Sequence, residues 1–320
     1  MISRRTLLTA FAALSVRSWP TARVLGEPRG AHALIRDLMP AFWATFEPTR
    51  NLPDPHQRAT AFGQQFLLPH AEIFTSAGFN GGSHGRFWDD RVAQWLIEFD
   101  MIALAVKRLS QLAPGGWLAS ERRFSERFPD YRPTASVWFI VSLFSFDGYT
   151  QAWDGRQRLF FGVDGIVRQH GSNADLAILF SHELFHLYHA SVTKPGLDVE
   201  TVGMRMWREG LATYASQILN PGSNVSQLLL DQAALNDPVV ISRVAAEALA
   251  KLASSEPAEL NRLFDMGYIG NVPARMGYVL GYRVVEAAAR IRQLDELVAL
   301  PADEVRSLIA QHLRQLAGQV

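Results

Sequence analysis

The residues best suited to chemistry lie in Ser181-His182-Glu183-Leu184-Phe185-His186-Leu187-Tyr188-His189. On an α-helix, His182 and His186 stand one turn apart, about 40° around the axis and roughly 6 Å along it. Two imidazoles so placed can ligate one ion. Glu183 projects about 100° from His182, beside the metal, where a carboxylate can hold and deprotonate water instead of ligating. The candidate third ligand is Glu209, in Trp207-Arg208-Glu209-Gly210-Leu211-Ala212-Thr213-Tyr214-Ala215. Small Gly210 and Ala212 are expected to let this second helix approach the first. Three protein ligands and an open fourth position make a catalytic zinc site, not a structural one. The expected cofactor is one Zn²⁺ ion held by His182, His186 and Glu209. Taken alone, Glu209 would read as an exposed glutamate at a helix start. His189 is read as a packed or supporting histidine, with a His182–His186–His189 triad as the alternative.

These side chains need helices to carry them. Apolar residues at Leu176, Ile178, Leu179 and Phe180 predict a helix over 174–192, with Ser172 and Asp175 as a capping box. Further helices are expected over 204–219, 224–234, 238–252, 258–266, 276–290 and 301–316. Upstream, 31–46 has apolar residues at helical spacing, and Pro48 to Pro55 should not continue that helix. A long helix is predicted over 86–112, with Trp88, Val92, Trp95, Leu96, Phe99 and Leu104 on its apolar side, stopped by Pro114-Gly115-Gly116. Between these lie two predicted strands, a continuous buried one over 136–146 (SVWFIVSLFSF) and a second over 156–163. The fold class is therefore α+β and mostly helical, with a small β-sheet beside the active-site helix. The expected organisation is an N-terminal helical region over 27–133 and a catalytic domain over 134–320.

Composition narrows the function. The 320 residues include 31 Lys and Arg, 31 Asp and Glu and no cysteine, with 48% hydrophobic residues, as a globular protein with a sizeable core requires. Zero formal charge gives no footprint for nucleic acid, and without cysteine any metal must sit on His, Asp or Glu. No glycine-rich phosphate loop, nucleophile elbow or cofactor fingerprint is present. Residues 1–26 carry Arg4, Arg5, Arg17 and Arg23, no acid, and a short apolar run, the pattern of an export signal of twin-arginine type. The mature chain would be mildly acidic, without a membrane span, and periplasmic or secreted. An uncleaved N-terminal anchor is the alternative.

The motif set H-E-x-x-H, then E-G-L-A-x-Y, resembles the gluzincin zinc metallopeptidases. Gly277-Tyr278-Val279-Leu280-Gly281-Tyr282 adds G-Y-x-x-G-Y, which is similar to a bacterial family of predicted zinc proteases. The likeness covers about residues 156–290 and implies a zincin-like fold for the catalytic domain. It implies that a tyrosine hydroxyl, Tyr278 or Tyr282, stabilises the oxyanion, unless both simply pack into the core. It also implies that an edge strand, here 156–163, binds extended substrate. Where the thermolysin pattern has an acid four residues after the glutamate ligand, this chain has Thr213, so support for a ligand histidine must come from elsewhere. The leading expectation is hydrolysis of a peptide or protein substrate by a zinc-bound water, with Glu183 as general base. The alternatives are a secreted binding or chaperone-like module with a structural or vestigial zinc site, and a zinc hydrolase of non-peptide amides.

Overall fold

The computed structural model describes residues 33–75, 86–153, 155–223, 236–265 and 267–318, with backbone only for 86–89. The export-signal segment 1–26 and the expected helix 224–234 lie outside them. The chain divides into two compact units, whose described residues fall in 33–177 and in 178–318.

The first unit opens with β1 (Ile35–Asp37), α1 (Met39–Thr49) and α2 (Pro55–Phe62). A π-turn and a 3₁₀-turn then lead to α3 (Ala71–Phe74). The helix expected over 31–46 thus begins with a strand. β1 is short, and it pairs in parallel with the next strand, Ile35 opposite Val137. Pro48 sits inside the last turn of α1.

The long helix α4 (Arg86–Arg127) runs through Pro114-Gly115-Gly116 instead of stopping there. Beyond the proline, Trp117 and Phe124 are fully buried, and the Trp117 ring lies 5.6 Å from Phe161. Tertiary burial of these aromatics outweighs the poor local propensity. Leu104, expected on the apolar side, is 85% exposed. It lies about 140° around the helix from the buried stripe of Val92, Phe99 and Val106.

β2 (Ala135–Ile140), β3 (Gly148–Trp153) and β4 (Arg156–Gly162) complete a four-stranded sheet in the order β1-β2-β4-β3. β2 is parallel to β1 and β4, and β3 is antiparallel to β4. The strand expected over 136–146 therefore ends early. Leu143 and Phe144 take left-handed φ values of 52° and 59°. The buried Asp164 holds that turn, accepting from Ser142 N at 2.5 Å, Phe144 N at 2.8 Å and Trp95 Nε1 at 3.0 Å. β4, expected to offer a free edge to substrate, is paired on both sides, so it has no backbone edge to extend. α5 (Val163–His170) follows it.

α6 (Leu176–Val192) starts at the junction of the two units, where Asp175 Oδ1 caps Ala177 N at 2.9 Å. Asp175 is thus the cap itself. The second unit continues with α7 (Val202–Leu219), α8 (Pro238–Leu249), α9 (Pro257–Phe264), α10 (Met276–Ala288), α11 (Leu294–Val298) and α12 (Ala302–Ala317). Thr201 caps α7 through Met204 N at 3.3 Å. Trp207, Leu211, Ala212 and Ala215 of α7 are fully buried, as are Val284 and Val285 of α10.

Where α7 and α10 cross, glycine meets glycine. A Cβ on Gly210 would stand 2.3 Å from the Gly281 carbonyl oxygen, and one on Gly281 would stand 2.2 Å from that of Met206. Gly210, expected to ease the approach of the two ligand-bearing helices, instead admits α10.

Candidate metal centre

Helical spacing on α6 brings His182 and His186 together, their ring centroids 4.5 Å apart and their Nε2 atoms 2.9 Å apart. α7 adds Glu209, whose Oε2 lies 3.2 Å from His186 Nε2 and 3.3 Å from His182 Nε2. Asn220 Nδ2, just past α7, donates to Ser181 Oγ at 3.0 Å and ties the two helices one residue from the first histidine. Three donor atoms from two helices therefore form a near-equilateral triangle. In a tetrahedral zinc shell with bonds of about 2.0–2.1 Å, donors stand about 3.3 Å apart. Two imidazole nitrogens and a carboxylate oxygen at this separation fit zinc in both chemistry and spacing. This is the one His/Asp/Glu group with ligand spacing among the described residues.

Electrostatics favour the ligating forms. Burial, with His186 beside it, pushes the His182 pKa down, so its ring is neutral and keeps a lone pair. Although burial opposes it, His186 and the hydrogen bonds from both imidazoles hold the Glu209 carboxyl well below the usual range. His186 itself is raised against its own burial, chiefly by Glu209, with a smaller push from Glu183. Glu183 is half-buried, and its charge is felt at the second histidine.

The two tyrosines part company. The Tyr278 ring lies 6.3 Å from the His182 ring at 29°, half-buried, with Phe264 at 6.0 Å on another side. The Tyr282 hydroxyl donates to Gln217 Oε1 at 2.8 Å and lies 3.3 Å from Glu286 Oε1. Burial and Glu286 push its pKa up to about 12.

His189 is not part of the donor group. It is buried against Phe185, ring centroids 5.8 Å apart, and its Nε2 has no hydrogen-bond partner among the described residues. Burial lowers its pKa to about 3, so it is a neutral packed ring. The Thr213 hydroxyl, also buried, likewise finds no partner among the described residues.

Sequence spacing did not single out Arg275. It precedes α10 with φ 55°, is 8% exposed, and places its guanidinium carbon 5.1 Å from the centre of the Tyr278 ring. Its charge helps to lower the His182 pKa. No motif marks this position, because the contact depends on how α10 is oriented.

A family model described as "Predicted Zn-dependent protease (DUF2268)" matches residues 158–307. That span includes His182, Glu183, His186, Glu209, Tyr278 and Tyr282. No curated protein and no solved structure matches the chain.

Proposed function

We propose that this protein is a zinc-dependent metallopeptidase of gluzincin type that hydrolyses peptide bonds. His182, His186 and Glu209 are its metal ligands and Glu183 is its general base. The observation that carries this reading is the convergence of the two Nε2 atoms and Glu209 Oε2 to within 2.9–3.3 Å. A match to a family described as predicted Zn-dependent protease supports it.

When bound there, zinc would supply a Lewis acid that polarises the scissile carbonyl and brings the pKa of water to about 7. The Glu183 carboxylate takes the proton of the attacking water and passes it to the leaving amine nitrogen. Tyr278, with its ring alongside His182, is the oxyanion donor of the pair. Tyr282, engaged with Gln217 and Glu286, braces α10 against α7. Glu209, kept ionised by the imidazoles, needs no proton removed before it can ligate, and His182, kept neutral by burial, brings no positive charge to the site.

The test is turnover of a peptide library before and after chelation, with metal content measured alongside. Cleavage should vanish with the chelator and return with added zinc. Zinc binding without cleavage of any peptide would move the assignment to a structural zinc site or to a non-peptide amide substrate.

The site of action proposed is outside the cytoplasm, after export directed by residues 1–26, on peptide or protein substrates found there. Among the described residues no helix is long and apolar enough to cross a membrane. Changing Arg4 and Arg5 together to lysine should leave the protein in the cytoplasmic fraction. Unchanged export of that variant would reject the twin-arginine route.

A further inference from the structure

The longest helix carries two faces, and its own unit uses one. Val92, Trp95, Leu96, Phe99, Val106 and Leu109 of α4 are buried. On the other side, Gln94, Ile97, Met101, Leu104, Arg108 and Gln111 are all exposed. Met101 and Leu104 are each 85% exposed and Ile97 is 49% exposed. These six residues are spaced alternately three and four apart, the stripe by which two helices pack as a coiled coil. A single amphipathic face suffices for a helix on the surface of a lone molecule. A second one, apolar at its middle and polar at both ends, calls for a partner.

We propose that the partner is a second copy of this chain, packed α4 against α4 in antiparallel fashion about a two-fold axis between Met101 and Leu104. Charge chooses both the occupant and the direction. Glu98 and Asp100 lie before the apolar centre, and Lys107 and Arg108 lie after it. An antiparallel pair sets the acidic end of each helix against the basic end of the other, whereas a parallel pair would set like charges level. In that pairing Met101 lies opposite Leu104 of the second copy, and Ile97 lies under the aliphatic stem of Arg108. The guanidinium of Arg108 then reaches Glu98 of the second copy. Arg108 has no ion-pair partner among the described residues, while Glu98 meets Arg168 at 3.1 Å and Lys107 meets Glu47 at 3.0 Å, both exposed pairs. Gln94 faces Gln111, and polar residues at such seam positions fix register.

The absence of cysteine makes the test clean. Two copies of position 101 would lie about 4.5 Å apart along the helix axis, and two copies of position 97 roughly 16 Å apart. A disulfide spans the first distance and not the second. In the purified full chain, mild oxidation should therefore convert Met101→Cys to a covalent dimer and leave Ile97→Cys uncoupled. Sedimentation of the unaltered protein at tens of micromolar should give twice the mass of one chain. Met101→Glu should give the mass of one chain, with an unchanged circular dichroism spectrum, since the side chain is exposed. Arg108→Glu should also dissociate the dimer, and adding Glu98→Arg should restore it. A single-chain mass for the unaltered protein at that concentration would overturn the proposal. Equal crosslinking at positions 97 and 101 would do so as well.

Discussion

At the scale of single residues, roles divide by what each side chain touches. In the proposed mechanism Glu183 moves a proton and takes no part in the donor triangle, so Glu183→Gln should keep its zinc and lose turnover. The expected fall in kcat is about 10²–10⁴-fold, the usual worth of a general base. Full activity in that variant would remove Glu183 from the mechanism. Tyr278 and Tyr282 offer a matched pair. Tyr278→Phe should lower kcat by roughly 10²-fold with KM little changed, as loss of one oxyanion donor does. Tyr282→Phe should instead lower stability by about 1 kcal/mol through the lost hydrogen bond to Gln217, with kcat near that of the unaltered protein. The reverse pattern would exchange the two roles. The pairing of the two histidines was legible from the four-residue spacing alone. A helix dictates where residues four apart must point, whatever packs around it. The separation of Tyr278 from Tyr282 was not legible. Both lie on α10, and the hold of Gln217 on the Tyr282 hydroxyl depends on how α7 packs against α10.

At the scale of elements, α7 and α10 touch backbone to backbone at Gly210, the residue next to Glu209. Gly210→Ala and Gly281→Ala each insert a methyl group within 2.2–2.3 Å of a carbonyl oxygen. The helices must separate to admit it. Each change should cost about 1–3 kcal/mol in urea denaturation and should impair turnover as well, because Tyr278 rides on α10 and Glu209 on α7. Wild-type stability and activity in both variants would show that the crossing has slack. Elsewhere, local signals competed with long-range ones. Helical periodicity located α6, α7 and α10 to within a few residues, since each has a clear apolar face. The PGG run suggested the end of α4, yet burial of Trp117 and Phe124 carries the helix past it. β3 was missed because Gly148–Trp153 lacks a β-branched apolar run. It forms by pairing with β4, where Thr150 lies opposite Leu159. The continuous run of residues 136–146 read as one strand because hydrophobicity alone cannot register a left-handed turn held by a distant Asp164.

At the scale of the whole molecule, metal binding and folding are linked, because an ion held between α6 and α7 stabilises only the folded chain. The sign of the pH dependence follows from His186. Its pKa is raised in the metal-free protein, so its ion pair with Glu209 contributes stability fully below the usual histidine value. That contribution fades as pH rises through the raised value. Zinc needs the neutral ring and therefore competes with a proton on the acidic side. The rise in Tm on adding zinc should be small at pH 5.5 and grow towards pH 8. A zinc-induced rise that stays constant or shrinks over that range would separate the ion from His186. The most direct test of the account is the zinc content of purified protein, measured by mass spectrometry for the unaltered chain and for His186→Ala, Glu209→Ala and Glu183→Gln. The account predicts one zinc per chain in the unaltered protein and in Glu183→Gln, and loss of zinc in the other two. Full zinc occupancy in Glu209→Ala, or loss of zinc in Glu183→Gln with the fold intact, would contradict it.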